Sequence, residues 1–430
     1  MIPDIERKSP EEIKAFQEQK LAETLRYVSG HSPYYRRIFE KHGVQPEDIR
    51  TLEDLARIPV TTKDDLQQYN DDFRCVDREN IIDYVTTSGT LGQPVTFALT
   101  EADLERLAYN EAISFACAGV QKSDVLQLMT TMDRRFMAGL AYFLGARKLG
   151  AGIIRVGAGI PELQWDSILK FRPTYLIAVP SFLLKLIEYA RQHGIDPDQS
   201  GVKAVICIGE ALRNQDFSPN KLAAKIKSGW NIELYSTYAS TEMSTAFTEC
   251  EHGQGGHHHP ELIITEILDE NGTPVPDGSI GELTVTTLGI EGMPLLRFGT
   301  GDMVRGHTSP CRCGRNTIRL GPVVGRKKQM IKYKGTTLYP PAMQDLMTHF
   351  SEIDSYVIEV SRNELGTDEI LIKAASSKPS EALLQEIKDH FRAKLRVLPG
   401  IEFHTPDHIN ALRFPKMSRK PVLFIDKRQE

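Results

Sequence analysis

Between Leu104 and Gly209 the sequence alternates helical stretches with short apolar runs, and this alternation restricts the fold more than any other feature. Two of the runs are TYLIAV, residues 174–179, and KAVICIG, residues 203–209. Runs of this kind are typical of strands that are buried beneath helices in an α/β sheet. The central part of the chain is therefore predicted to be α/β.

The segments on either side differ in character from this centre. A first helix is predicted from Pro10, because Ser9 and Glu12 form a capping box around a first-turn proline. Strand-like runs separated by a turn-rich segment predict a smaller β-rich subdomain over 261–325. A compact tail follows, with a boundary expected close to Lys328. A chain of 430 residues with 40% hydrophobic content can form two or more such units.

Charge and composition exclude several classes of function. A net charge of -5 provides no broad basic face for nucleic acid or for an anionic membrane. The first residues lack the apolar core of a secretory signal, and the longest apolar stretch, 136–146, is too short to span a membrane. Six cysteines in a chain of this length do not make a disulfide scaffold. We expect a cytoplasmic protein with small-molecule partners.

The loop TTSGTLGQP, residues 86–94, places two glycines among four hydroxyl residues. Such a loop can present backbone N–H groups and hydroxyls to phosphate oxygens without steric obstruction. It is not the P-loop of NTPases, because the Gly-Lys-Ser/Thr ending is absent. Taken alone, a polar hairpin turn explains the loop equally well.

Other motifs carry groups suited to a nucleotide, although each also has an ordinary structural explanation. YASTE, residues 238–242, ends in a carboxylate that could hold Mg²⁺, but it also fits a strand end. FGTGDMV places Asp302 after a glycine turn, where it could accept ribose hydroxyls. GRKKQMIKYKG, residues 325–335, suits either a hinge beside an anion or a solvated loop, and PKMSRKP, residues 415–421, adds a late lysine loop.

In their order and spacing, these motifs resemble those of the adenylate-forming enzymes, which include acyl-CoA synthetases, peptide-synthetase adenylation domains and luciferases. The segment TLRYVSGHSPYYRRIFEKHGVQPEDIRTLEDLARIPVTTKDDL and the short overall length resemble the phenylacetate-CoA ligases. The resemblance covers nearly the whole chain. It implies a large multi-subdomain α/β N-terminal adenylate-forming domain, residues 1–327, with the β-rich subdomain at 261–325. A small mobile α+β C-terminal domain would follow at 328–430.

The resemblance also implies a role for each motif residue. The residues expected to bind ATP are Ser88, Gly89, Thr90, Gly92, Gly209, Glu210, Tyr238, Asp302 and Arg326. Thr241 would contact phosphate and Glu242 would hold Mg²⁺. Lys328 would be the hinge of the mobile domain, and Lys420 would be its catalytic lysine.

The acid-binding pocket is expected within DRRFMAGLAYFLGA, residues 133–146, with a contribution from VPSF, residues 179–182. The contacts implied by the resemblance are Phe136, Met137, Ala138 and Ser181, with Phe182 beside them. Ordinary core residues at a helix start are an equally good explanation of each. An aromatic or arylacetic acid would fit a slot lined by phenylalanine.

Soft ligands from two loops indicate a structural metal. Cys250, His257, Cys311 and Cys313 provide a set suited to tetrahedral Zn²⁺ with no open position, and some relatives carry a similar set. His258 or His259 could replace His257. Free surface cysteines are the alternative.

We therefore expect an ATP-dependent acid:coenzyme A ligase that forms an acyl-adenylate and then a thioester, with ATP, CoA, Mg²⁺ and Zn²⁺ as ligands. One alternative is an adenylating enzyme that loads a carrier-protein thiol. Another is a nucleotide-binding relative without turnover, since the chain departs from the family pattern. The departures are Leu91, Ala239, Lys328 and Arg419. A homodimer is left open, as is the choice of acid.

Overall fold

The computed structural model describes residues 2–87, 95–333, 336–363, 368–415 and 421–428. The chain divides into two compact units. The first comprises Met1–Thr300 and Val304–Pro322, and the second comprises Gly301–Met303 and Val323–Glu430. The boundary expected at Lys328, with a mobile domain beyond it, stays a prediction. Each helix within the described ranges is too short or too polar to cross a lipid bilayer.

The helices of the first unit begin with the predicted capped segment. Ser9 and Glu12 form the capping box, and the helix buries Ile13, Leu21 and Leu25. Its eight α-helices among the described residues are α1 (Pro10–His31), α2 (Pro33–His42), α3 (Lys63–Gln68), α4 (Glu101–Cys117), α5 (Met137–Leu149), α6 (Pro161–Phe171), α7 (Pro180–Gln192) and α8 (Lys221–Gly229).

The described strands that precede residue 321 include one within each predicted apolar run, 174–179 and 203–209. They are β1 (Asp83–Thr86), β2 (Thr96–Leu99), β3 (Val125–Leu128), β4 (Gly152–Arg155), β5 (Tyr175–Ala178), β6 (Ala204–Ile208), β7 (Glu233–Ser240), β8 (Thr245–Glu249), β9 (Gly256–His257), β10 (Ile263–Leu268), β11 (Ile280–Thr287), β12 (Phe298–His307) and β13 (Arg319–Leu320). The short β1 and β2 pair with each other. The others join one large sheet in the order β10-β11-β12-β13-β9-β8-β7-β6-β5-β3-β4.

The large sheet is parallel from β4 to β7 and antiparallel from β7 to β9. Strands β5 and β6 are buried at every position, as expected for parallel strands covered on both faces. The α/β prediction is confirmed. The β-rich segment continues this sheet, because β13 pairs with β9. That pairing joins residues too far apart in sequence for a local pattern to predict.

The second unit contains a four-stranded sheet. The strands and α-helices of this part of the chain, among the described residues, are β14 (Gly325–Arg326), β15 (Ile331–Tyr333), β16 (Thr336–Leu338), α9 (Pro340–Met347), β17 (Ile353–Arg362), β18 (Asp368–Ser376), α10 (Glu381–Leu395), β19 (Gly400–Phe403), α11 (Pro406–Arg413) and β20 (Phe424–Asp426). The strand order in the sheet is β19-β18-β17-β20. Ser380 caps α10, and this helix buries Leu383, Ile387 and Phe391.

Helices α4 and α5 pack at unusually short range, and a carboxyl group is buried between them. A Cβ atom placed on Gly145 of α5 would lie 2.2 Å from the Cβ atom of Glu111 of α4. The Oε1 atom of Glu111 accepts a hydrogen bond from the side-chain amide of Asn110, at 3.1 Å. Burial raises the pKa of Glu111 to about 8. The carboxyl is therefore mostly protonated at neutral pH.

Replacing Glu111 by its neutral isostere should change how stability depends on pH. Because the pKa is raised in the folded chain, the stabilising contribution is fully present below about pH 4.5 and is lost as the pH rises through about 8. Glu111→Gln should match the wild type near pH 5 and unfold at higher urea near pH 9. Fluorescence of Trp165 and Trp230, both in the first unit, reports this transition.

Glu105→Gln on the same helix is the matched control. Glu105 is exposed, and its hydrogen bond with Lys148 lowers its pKa, so its titration lies below this pH range. Equal pH profiles for Glu111→Gln and the wild type would contradict the prediction.

Candidate active site and metal centre

Several predicted site residues lie at one edge of the large sheet. Strands β5, β6 and β7 are neighbours and parallel, so their carboxyl ends meet at the same edge. Ile208 of β6 lies opposite Thr237 of β7, and Gly209 and Tyr238 follow directly. Gly209 has a φ of 76°, a left-handed conformation that favours glycine. The sheet thus places Gly209 and Glu210, here called the GE pair, beside the start of the YASTE motif.

Ser181 and Glu210 form one hydrogen-bonded unit at this edge. The backbone N–H of Ser181 donates to Oε2 of Glu210 and its hydroxyl donates to Oε1, both at 2.8 Å. Ser181 lies in the first turn of α7, where a carboxylate is favoured by the helix dipole. The sequence had assigned Ser181 to the acid pocket and Glu210 to the adenine side. Because the two residues are joined by hydrogen bonds, a movement of either side chain would also displace the other.

The turn between β7 and β8 carries Thr241 and Glu242. Ser244 closes this turn, and its amide donates to the carbonyl of Thr241 at 3.3 Å. Ser244 has a φ of 48°, a conformation that is costly for a residue with a side chain. The Glu242 carboxylate is largely buried, with 10% of its side chain exposed.

Arg106 of α4 holds this strained turn in place. Its guanidinium donates to the carbonyls of Ser244 and Leu288 at 2.8 and 2.7 Å, and to that of Leu262 at 2.5 Å. A further bond at 3.3 Å reaches the hydroxyl of Thr245. These contacts join three segments that are distant in sequence. The sequence analysis missed Arg106, because no local motif surrounds it.

Lys63 at the start of α3 is a second group that the sequence analysis missed. Its Nζ atom lies 3.3 Å from Oε1 of Glu242. Lys63 lies in the TTKDDL segment, which had served only for the family resemblance. The sequence did carry a signal for Lys63. A lysine in the first turn of a helix interacts unfavourably with the helix dipole, so its presence there indicates a role outside the helix.

In the second unit, Asp302 and Arg326 lie opposite each other on β12 and β14. The Nε atom of Arg326 is 3.1 Å from Oδ1 of Asp302. Gly301, with a φ of 76°, forms the bend that brings Asp302 to this position. Lys328 follows in a short 3-10 helix, and its carbonyl accepts a hydrogen bond from Arg428 at 3.2 Å. The structure thus joins the two residues expected at the ribose.

The residues assigned to the acid pocket do not all share one environment. Phe136 precedes α5 and is 37% exposed, whereas Met137 is buried. Ala138 packs against the core cluster that contains Ile208, directly before Gly209. Ala138 is thus a partly buried neighbour of this cluster, while Met137 is a core residue. Ser88, Gly89, Thr90, Gly92 and Lys420 lie outside the described residues.

A cluster of three cysteines and one histidine forms a separate centre in the first unit. The ligand atoms of Cys250, His257, Cys311 and Cys313 all lie within 4.8 Å of one another. Sγ of Cys250 is 3.7 Å from Sγ of Cys311, and Sγ of Cys313 is 3.5 Å from Nε2 of His257. Zn–S bonds of about 2.3 Å in a tetrahedron require S···S separations of roughly 3.8 Å. The donor set therefore fits a four-coordinate Zn²⁺.

The three consecutive histidines point to different partners. Nδ1 of His257 lies 3.2 Å from the hydroxyl of Thr317, which leaves Nε2 facing Cys313. His258 contacts the carbonyl of Ile263, and His259 contacts Glu6. The geometry therefore favours His257 among the three candidates.

A buried ion network surrounds the cysteine cluster. Glu6 is fully buried and contacts both His259 and Nε of Arg315. Although burial opposes it, these two partners hold the pKa of Glu6 below its usual value. Arg315 also donates to Sγ of Cys313 at 3.4 Å. Hydrogen bonds from Cys250, His257 and Arg315 hold the pKa of the Cys313 thiol far below its usual range. Cys313 is thus prepared to act as a thiolate ligand.

Removing the Arg106 guanidinium should destabilise the first unit. Arg106→Met leaves several acceptors without their donor, at a cost of roughly 1–3 kcal/mol for a buried group left unsatisfied. Urea unfolding followed by tryptophan fluorescence should detect this loss. Arg147→Met, at an exposed position of α5, is the control and should change stability by less than about 0.5 kcal/mol. Equal stability of the two variants would mean that Arg106 does not hold the turn.

Comparison with known proteins identifies the family. Residues 17–291 match the family model described as AMP-binding enzyme. A phenylacetate-coenzyme A ligase of Thermus thermophilus is 32% identical over 386 residues, which cover 88% of this chain and 84% of that protein. The ligase of the same name from Escherichia coli K12 is 29% identical and covers 93% of this chain and 92% of that protein.

A solved 2-hydroxyisobutyryl-CoA ligase in the postadenylation state, in complex with 2-HIB-AMP, has a TM-score of 0.83 with 25% identity. The match covers 99% of this chain and 92% of that one. The whole fold is therefore that of the adenylate-forming CoA ligases. The chain belongs to the AMP-binding enzyme family and, within it, to the phenylacetate-coenzyme A ligase family.

Proposed function

We propose that the protein is an ATP-dependent ligase that joins phenylacetate, or a closely related aryl acid, to coenzyme A through an acyl-adenylate. The observation that carries this proposal is the meeting of Gly209, Tyr238 and the Glu242 turn at the carboxyl edge of the parallel strands. In open α/β sheets this edge is where ligands bind. The named relatives indicate which reaction takes place there.

In the first half-reaction a carboxylate oxygen attacks the α-phosphorus of ATP, and pyrophosphate leaves. The carboxylate alone resists a thiol, because it is anionic and lacks a good leaving group. Ser88, Gly89, Thr90 and Gly92 are proposed to bind the phosphates, with Thr241 beside them. Glu242 is proposed to hold Mg²⁺, which when bound offsets charge on the phosphates. Lys420 is proposed to bridge the attacking carboxylate and the α-phosphate.

In the second half-reaction the CoA thiolate attacks the acyl carbonyl carbon, and AMP leaves with the electrons of the broken C–O bond. Adenylate formation and thioester formation need different protein groups near the acyl carbon. We propose that residues 328–430 move about Lys328 to exchange them. Asp302 and Arg326, already paired at 3.1 Å, would bind the ribose region of the nucleotide in both steps.

Aryl specificity is proposed to arise at the start of α5. Phe136 is partly exposed and Ala138 packs against the core cluster formed by residues of α4, α5, β3, β5 and β6, so these two positions can border a flat apolar slot. Met137 is buried in the core, which makes it a support for such a slot. Ser181 is held by Glu210, and we assign it to keeping that carboxylate in place.

The proposed function predicts acid-dependent ATP–pyrophosphate exchange that is fastest with phenylacetate or another aryl acid. Lys420→Ala should lower this exchange by at least about 10²- to 10³-fold, because one preorganised charged donor is lost. Chemically supplied phenylacetyl-adenylate should still be converted to phenylacetyl-CoA. The measurement is radiolabel exchange over a panel of aryl, arylacetic and aliphatic acids.

Lys416→Ala, in the same sequence segment PKMSRKP, is the control and should retain exchange. Loss of exchange in Lys416→Ala but not in Lys420→Ala would overturn the assignment of the catalytic lysine. Exchange without any thioester formed on CoA, but with acyl transfer to a carrier-protein thiol, would favour the carrier-loading alternative. Absence of exchange with every acid would favour a relative without turnover.

We further propose that Cys250, His257, Cys311 and Cys313 hold one structural Zn²⁺. A closed set of four protein ligands has no position for substrate. Thr317 orients His257, and Arg315 supports Cys313, which is the outer arrangement expected around a bound metal. The metal would connect the loop after β8 to the loop after β12 and stabilise the antiparallel part of the sheet.

Purified protein should contain close to one zinc per chain by elemental analysis, and Cys311→Ser should lose the metal and lower the melting temperature. Cys75→Ser, at a buried cysteine outside the cluster, should keep the full zinc content. Metal-free wild-type protein with the same melting temperature as zinc-loaded protein would rule this site out.

A further inference from the structure

Lys63 occupies a position that ordinary helix formation disfavours. It is the first residue of α3, directly after the capping residue Thr62, whose hydroxyl and amide contact Asp65. The acidic residues in this turn suit the positive end of the helix dipole, and a lysine does not. The ion pair with Glu242 offsets the unfavourable interaction between the Lys63 ammonium group and the helix dipole.

The pair of Lys63 and Glu242 differs from an ordinary surface ion pair. The two residues are 179 positions apart, and Glu242 is largely buried in the turn that leaves β7. Lys63 remains 34% exposed. A buried carboxylate needs a nearby cation, because desolvation otherwise favours its protonated form. Lys63 provides such a cation, with its Nζ atom 3.3 Å from Oε1 of Glu242.

The same carboxylate is the proposed ligand of Mg²⁺. A divalent cation and an ammonium group close to one carboxylate repel each other unless additional negative charge is present. A nucleoside triphosphate brings that charge. The flexible stem of Lys63 allows its ammonium group to leave Glu242 and contact a phosphate oxygen.

We infer that Lys63 is a positioning residue that makes metal binding depend on nucleotide. It neutralises Glu242 and opposes a divalent metal in the nucleotide-free enzyme. When the metal arrives with a nucleoside triphosphate, Lys63 exchanges the carboxylate for a phosphate. This inference rests on the proposed function, since it uses Glu242 as the metal ligand.

The test measures metal and nucleotide binding separately, using Mn²⁺ as the probe. Mn²⁺ binding to the nucleotide-free enzyme is followed by electron paramagnetic resonance, and ATP binding is followed by equilibrium dialysis with and without Mn²⁺. In Lys63→Met, Mn²⁺ should bind roughly tenfold more tightly without nucleotide, and ATP with Mn²⁺ should bind roughly tenfold more weakly. Lys63→Arg, which keeps the charge, should stay close to the wild type in both.

Lys148→Met is the matched control. Lys148 and Glu105 form an ion pair with an N–O distance of 2.8 Å, and this pair does not involve the turn that carries Glu242. This variant should change neither affinity. Circular dichroism melting of all variants identifies any that fail to fold, and Lys63→Gln replaces Lys63→Met if that variant does not fold. Unchanged Mn²⁺ affinity in folded Lys63→Met would overturn the inference, as would loss of both affinities in Lys63→Arg.

Failure of the proposed function gives a different result. If Glu242 is not the metal ligand, Glu242→Gln leaves Mn²⁺ binding in the presence of ATP unchanged, and the inference falls with that assignment. If wild-type protein shows no acid-dependent pyrophosphate exchange but Lys63→Met shifts both affinities, the coupling stands and the proposed ligase activity does not.

Discussion

The change of strand direction at β7 is the constraint on which the rest of the site depends. β7 is parallel to β6 and antiparallel to β8, so the chain must reverse within the few residues that carry Thr241 and Glu242. The reversal requires Ser244 in a left-handed conformation. Arg106 stabilises it from a helix more than a hundred residues earlier in the chain. The Glu242 carboxylate is thus placed by a strained turn that the surrounding structure holds in position.

Buried charge is managed in three different ways in the first unit. Glu6 is paired with His259 and with the Arg315 guanidinium, Arg106 is surrounded by carbonyl oxygens, and Glu111 is mostly protonated at neutral pH. Each solution avoids the cost of an ionised group without partners. The three solutions differ because the three environments differ. Glu6 lies where loops meet, Arg106 faces the ends of strands, and Glu111 lies in a close contact between two helices.

Much of the fold could be predicted from local pattern. The buried runs before Ala178 and Ile208 are strands, and the capping box at Ser9 starts a helix, because burial and capping act over a few residues. The pairing of β13 with β9 could not be predicted in this way. The same limit of local pattern decides which residues of the candidate site could be predicted. YASTE and the GE pair were visible as motifs, whereas Lys63 and Arg106 act through contacts that only the folded chain creates.

The burial of Glu6 has a consequence for how the first unit opens. Glu6 and its partner Arg315 are 309 positions apart, so their ion pair ties the segment before α1 to the loop after β12. If the segment that carries Glu6 detached, Arg315 would lose this partner, and Arg315 also donates to Cys313 of the cysteine cluster. We therefore expect the segment before α1 and the cysteine cluster to open together, as one cooperative unit of local unfolding.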